Sequence, residues 1–202
     1  MIIHTVEQGT DEWLSLRLGM PTASNFKKIF TASGKPSTTA DDYMHELIAE
    51  EMSGVPTFTK VTDDMQRGLD LENEAVGIYE FLFDVQTVVV GFVTNNTQTY
   101  GCSPDRMNLE VKCPKDKNHI KWALADKVPA GHFCQVQGCM WVCEEDSWDF
   151  LSYTQSIGTF CTTVYRDEKW IDGMQKEMDK FLNKKHEALH KLTLQEGNRY
   201  AG

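Results

Sequence analysis

The chain has 202 residues, 41% apolar and 25% charged, which is material for one buried core and predicts a single domain over residues 1–202. Lys and Arg total 20 against 30 Asp and Glu, a net charge of −10. That balance argues against a protein that coats nucleic acid or a membrane surface through its overall charge, because phosphate binding needs clustered Lys and Arg.

In chain order, the first 40 residues are irregular, punctuated by Gly19, Pro21, Gly34 and Pro36, with short helices predicted over about 11–18 and 23–30. Thr22 or Ser24 is the candidate cap of the second. Thr38 and Thr39 precede ADDYMHELIAEEM, a helix start with acids in its first turn and with Met44, Ile48 and Met52 on one face. A loop through Gly54 and Pro56 leads to a helical pattern over 63–83, with Leu69, Val76, Tyr79 and Phe83 at helical spacing. VQTVVVGFV, TQTYGCSPD and LEVKC then read as three consecutive strands. Helices over about 117–126 and 131–143 follow, then strands SWDFLSYTQ and TFCTTVY. A final amphipathic helix over about 167–192 presents Trp170, Met174, Met178 and Phe181 inward. The order predicts an α/β or α+β domain with a mixed sheet flanked by helices.

The cysteines, at 102, 113, 134, 139, 143 and 161, form no CxxC pair and read as buried free thiols. The N-terminus has no signal-peptide pattern and Val88–Val93 is too short to span a bilayer, so the chain reads as soluble and intracellular, without a membrane partner.

The charge is unevenly placed. Residues 41–84 hold 12 acids against Lys60 and Arg67, which accounts for the whole net charge, whereas Trp13–Lys35 has four basic residues and no acid. The chemistry concentrates in Ser103-Pro104-Asp105-Arg106-Met107-Asn108-Leu109-Glu110-Val111-Lys112. If Met107-Asn108 is a two-residue hairpin turn, Arg106 pairs with Leu109 and Asp105 with Glu110, and Lys112 projects to the same face as the two acids. Two facing carboxylates repel unless a cation neutralises them, so this set suits a hard divalent metal with an ammonium to position water. The competing reading is an exposed strand face with an ordinary ion pair, but the apolar neighbours Leu109, Val111 and Cys113 make the strand internal.

Four ordered blocks carry a resemblance. They are Gln8-Gly9-Thr10 through Trp13, Leu16-Arg17 and Thr22-Ala23-Ser24; Arg67-Gly68 with Leu71-Glu72 and Ala75; Ser103-Pro104-Asp105 with Leu109-Glu110-Val111-Lys112-Cys113-Pro114; and Gln135-Val136-Gln137-Gly138 with Met140-Trp141-Val142. Over about residues 7–181 the chain resembles the lambda-exonuclease-like (YqaJ-type) viral recombinase nucleases of the PD-(D/E)xK superfamily.

The resemblance implies a restriction-endonuclease-like core and a Mg²⁺-dependent 5′-to-3′ exonuclease. Such an enzyme degrades one strand of linear double-stranded DNA, leaving 3′ overhangs for phage-type strand-annealing recombination. It implies two Mg²⁺ ions, with Mn²⁺ as a substitute, held by Asp105, Glu110, Glu72 and the Val111 carbonyl, with Lys112 and Gln135 holding the attacking water. Arg17, Ser24 and Ser103 are implied to grip the 5′-terminal phosphate, Trp13 to pack at the mouth of the DNA channel, and Met65 to wedge apart the terminal base pairs. A ring-shaped homotrimer, a single-strand annealing protein as partner and the cytoplasm of a bacterial host belong to the same implication.

Read alone, Glu72 is one more acid on a solvated helix, Gln135 an ordinary helix glutamine, Arg17 a surface ion-pair residue and Met65 a core methionine. Two features depart from the family pattern. Only four residues separate Asp105 from Glu110 where about ten are common, and Lys115, Lys117 and His119 are all candidates for the basic residue near the phosphate. Rival readings are a PD-(D/E)xK endonuclease or resolvase acting on internal or branched DNA, and a non-catalytic DNA-binding scaffold.

Overall fold

A computed structural model describes residues 1–57 and 62–200, and Lys60 of the acidic segment lies outside the described residues. The elements run β1 (Ile2–His4), α1 (Asp11–Arg17), a 3-10 helix (Ala23–Lys28), α2 (Ala40–Ser53), α3 (Asp63–Phe83), β2 (Phe92–Thr94), β3 (Gly101–Cys102), β4 (Leu109–Lys112), α4 (Asp116–Ala125), α5 (Ala130–Cys143), β5 (Ser147–Thr154), β6 (Gly158–Tyr165) and α6 (Glu168–Tyr200). Local chemistry sets several ends. Thr10 and Thr62 accept the amides of Trp13 and Met65, capping α1 and α3, and Gly54 ends α2 in the left-handed conformation.

The strands form two three-stranded sheets. In the first, β2 pairs antiparallel with both β1 and β3; in the second, β4 pairs parallel with β5, and β5 antiparallel with β6. This is the expected α+β class, with the mixed pairing confined to the second sheet. A two-residue turn at Met107-Asn108, closed by the Arg106–Leu109 bridge, leads into β4.

Helix α5 explains the architecture. Val136, Cys139, Met140, Trp141 and Val142 are all buried, so the helix is apolar all round and lies at the centre, touching the 3-10 helix, both sheets and α6. Gly138 permits its closest approach, because a Cβ there would stand 2.6 Å from the Phe26 ring of the 3-10 helix. Trp170, Met174, Met178 and Phe181 of α6 are buried as the sequence pattern predicts, and five of the six cysteines are buried and free.

Some expectations need correction. Residues 85–91 are not strand, because their backbone groups are taken elsewhere. Thr87 is bound by Glu80, the Val88 carbonyl accepts from the Met107 amide, and the Val90 carbonyl accepts from Gln8. Most of 97–105 is likewise irregular, since the Asn95 side chain gathers Thr97 and Thr99 into a turn with Gln98 at φ 54°. The segment 23–30 is 3-10 rather than α-helical, α6 runs on to Tyr200, and β1 carries no sequence pattern that reveals it. Leu69, Phe83 and Met52 are exposed rather than core, Leu69 at 63%. No helix among the described residues is long and apolar enough to cross a membrane.

Candidate active site

The turn brings the chemistry together. Asn108 takes φ 61°, Arg106 and Leu109 exchange both backbone hydrogen bonds, and Asp105 Oδ2 reaches across to accept the Val111 amide at 2.7 Å. Glu110, on a strand covered on both sides, is 0% exposed. Lys112 curls back so that its ammonium donates to Glu110 and to the Val111 carbonyl at 3.0 Å, and stands 3.9 Å from Asp105 Oδ2. Burial pushes the Glu110 carboxyl up to about 7, partly offset by Lys112 and reinforced by Asp105. For Lys112 burial works against the charge, but Glu110 and Asp105 outweigh it and hold the ammonium above the ordinary lysine value.

Glu72 arrives from α3, where burial and then Asp105 raise its carboxyl while Arg106 draws it down through a 3.2 Å ion pair. Arg106 also donates to Asn73 on α3, so the residue beside the first acid clamps the helix that carries the last. Sequence reasoning missed it.

While Glu110 itself is buried, Glu72, Asp105 and Lys112 line an open cleft of about 580 Å³. Its floor is Asp105, Val111, Lys112 and Cys113. One wall is the α3 stripe Met65, Gly68, Leu69 and Glu72, and the other is Asn118 and Trp122 of α4 with His132 of α5. Met65 is 47% exposed at the rim and is not a core residue. Lys115 lines this cleft, where it and Arg67 both pair with Asp64. Lys117 lines an adjoining groove with Arg67, Lys115, Gln155 and Ser156. His119 is excluded as a phosphate contact, being buried with Nδ1 2.9 Å from the Ser152 hydroxyl. His132 was also missed; burial, then Lys112 and Lys27, lower its pKa to about 4, so it is neutral at physiological pH.

A separate, smaller cavity is lined by Gln8, Trp13, Arg17, Ser24, Ser103 and Gln135. The Arg17 guanidinium stacks 3.8 Å above the Trp13 ring, and the Trp13 indole N–H donates to the Ser103 hydroxyl at 3.0 Å. Trp13 thus forms a wall of this cavity, and burial is the main cause of the lowered Arg17 pKa. Gln8 donates to the carbonyls of Val90 and Pro104, pinning the segment that joins Ser103 to Asp105. Gln135 lines this cavity beside Arg17 and Ser24 and is not among the residues that line the cleft with Lys112, which differs from its expected place at the attacking water.

Among the described residues no three His, Cys, Asp or Glu groups stand close enough to hold a metal as they lie. The donor chemistry nonetheless fits one. Glu110 Oε2 is buried with no hydrogen-bond partner, and the Lys112 ammonium draws on the Glu110, Asp105 and Val111 oxygens, the hard donors a divalent cation takes.

The family model described as the YqaJ-like viral recombinase domain matches residues 12–146, from Trp13's neighbour through all of α5. The chain belongs to that family. An alkaline exonuclease (LHK-Exo) from Laribacter hongkongensis superposes with a TM-score of 0.84 at 27% identity, covering 94% of this chain and 99% of that one. The same enzyme in complex with dAMP matches equally, at 28% identity. A phage-related exonuclease from Haemophilus somnus 129PT shares the fold, with a TM-score of 0.68 at 16% identity over 86% of this chain and 96% of that one. No curated protein sequence matches the chain significantly. The family and the exonuclease likeness make this a nuclease of the recombination type.

Proposed function

We propose that the protein is a Mg²⁺-dependent exonuclease that digests one strand of linear duplex DNA from its 5′ end, leaving 3′ single-stranded overhangs for annealing. The observation that carries the reading is the adjacency of the two cavities. Ser103 lines the smaller one and Asp105 the cleft, two residues on, at most about 7 Å of chain apart. A monophosphate end held at one and a phosphodiester presented at the other sets the cut one nucleotide from the end.

Asp105, Glu110, Glu72 and the Val111 carbonyl would hold Mg²⁺, or Mn²⁺ in its place, as two ions that activate water and offset charge on the leaving oxygen. Lys112 positions the attacking water. Arg17 offers a planar fork to the 5′ phosphate, aligned by the Trp13 ring beneath it, while Ser24, Ser103 and Gln135 add polar contacts. Met65 stands at the cleft rim, where an apolar side chain can part the last base pair, and Lys115 and Lys117 follow the backbone beyond. The smaller cavity is more enclosed than the cleft, which suits a free end better than an internal or branched site. The homotrimeric ring, the annealing partner and a bacterial host cytoplasm complete the proposal through the family likeness.

The test is digestion of 5′-phosphorylated linear duplex with Mg²⁺, polarity being read from end labels, beside the same DNA as a closed circle. Early loss of a 5′ label on the linear form alone is expected. Equal attack on the circle, or loss of the 3′ label first, overturns the reading.

A further inference from the structure

The cleft wall opposite α3 is made of residues that the metal and phosphate chemistry does not use. Asn118 and Trp122 lie one turn apart on α4, and His132 enters from the first turn of α5. The His132 ring is gripped between two aromatics, edge-on to Trp122 with centroids 5.4 Å apart and tilted against Phe150 at 5.7 Å. Both Trp122 and His132 line the cleft, and among the described residues the Trp122 indole, the His132 imidazole and the Asn118 side-chain carboxamide make no hydrogen bond to the protein. An aromatic wall with idle polar groups, set in an open cleft, is built for something flat that also carries donors and acceptors.

Its position says what. His132 stands three residues before Gln135, so the two share a face of α5, with Cβ atoms about 5–6 Å apart. Gln135 lines the phosphate cavity and His132 the cleft. That face of α5 therefore spans the interval between the two phosphates flanking the terminal nucleoside.

We infer that Trp122 and His132, with Asn118, form a subsite for the base of the 5′-terminal nucleotide. Trp122 supplies the apolar surface, and His132 and Asn118 contact the base edge. This rests on the reading under Proposed function. An aromatic face accepts any of the four bases, as an enzyme that digests all sequences requires. A neutral His132 donates and accepts without adding a charge beside Lys112.

The experiment uses the full chain and two probes, dAMP and deoxyribose 5-phosphate, which differ only by the base. Calorimetric titration reads binding without any turnover. Wild type should bind dAMP about ten-fold more tightly than the baseless sugar phosphate. Trp122→Ala should bring dAMP down to the level of deoxyribose 5-phosphate while leaving the latter unchanged, and Trp122→Phe should restore most of the difference. Thermal melts of each variant identify any general loss of fold, which would weaken both probes together. In kinetics, Trp122→Ala and His132→Ala should lower kcat/KM on ordinary ends and have no effect on duplexes with a 5′-terminal abasic nucleotide.

Equal binding of the two probes by wild type, or equal loss on base-bearing and abasic ends, overturns the subsite. Failure of the exonuclease reading registers separately, in the polarity and closed-circle assays.

Discussion

The ammonium of Lys112 is hydrogen-bonded to the wholly buried carboxylate of Glu110, on the same face of β4. An incoming cation has to compete with that ammonium for the same oxygens, and with a proton as well. Glu110 is raised to about 7, so below that pH a growing fraction is protonated and metal binding must expel the proton. Stabilisation by Mg²⁺ is therefore expected to be full near pH 8 and to fade as pH falls through about 7. Melting temperatures with and without Mg²⁺ at pH 8 and pH 6 read this directly. At 100 times the dissociation constant the ion should add about 2.7 kcal/mol. Glu110→Gln should abolish both the shift and digestion, and a Mg²⁺ shift of wild-type size in that variant would remove Glu110 from the metal set.

The Arg17 guanidinium carbon sits 3.8 Å over the centre of the Trp13 ring, a contact that holds its fork in place. Lysine keeps the charge but has neither the plane nor the paired donors. Arg17→Lys should reduce kcat/KM on 5′-phosphorylated ends by roughly ten-fold or more, the value of a lost charge-assisted hydrogen bond, and leave 5′-hydroxyl ends nearly untouched. Parallel rates on the two ends decide the point; an equal loss on both speaks against a phosphate pocket.

His132 sets an acid limit on the fold. Its pKa is lowered to about 4 in the folded protein, from 6.5 in the unfolded chain, by burial and by Lys112 and Lys27. Above 6.5 both states are neutral and nothing is lost. As pH falls from 6.5 towards 4 the unfolded chain takes up the proton first, so stability declines, by up to about 2 kcal/mol after allowance for partial exposure. Urea melts at pH 7.5 and 5 should show His132→Gln losing less over that interval than wild type. Equal losses would mean that His132 is not the group concerned.

Gly138 couples core packing to the phosphate cavity. An alanine Cβ would meet the Phe26 ring at 2.6 Å and Ala23 at 3.1 Å, forcing α5 away from the 3-10 helix that carries Ser24. Gly138→Ala should cost about 1–3 kcal/mol by overpacking and should also weaken discrimination between phosphorylated and hydroxyl ends. Chemical denaturation measures the first effect and competition between the two end types the second. An unchanged protein would show that the helix can shift without consequence.

How far the sequence discloses all this depends on the range of the signal. The Met107-Asn108 turn and the shared face of Glu110 and Lys112 follow from local spacing, but the hairpin ends at the Arg106–Leu109 bridge, so Asp105 joins them through its side-chain bond to the Val111 amide and not as the strand partner of Glu110. Helix α3 and the inward face of α6 are likewise legible from spacing. Glu72 and Arg17 are not, because each reaches the site from another element and looks like an ordinary surface charge where it stands; only the family likeness points to them. Val88 and Val89 read as strand because β-propensity reports side-chain shape, whereas the backbone partners of 85–91 are Glu80, Gln8 and Met107. Trp122 and His132 stayed hidden because nothing local says which face of α4 or α5 borders a cavity.

The placement of the turn decides where the chain can change length. Side chains alternate along β4, so inserting one residue between Glu110 and Lys112 would turn the ammonium away from the carboxylate, while inserting two would restore them to a common side. The Met107-Asn108 turn carries no such parity, because residues added there lengthen the loop and leave the Arg106–Leu109 closure as the quantity to keep.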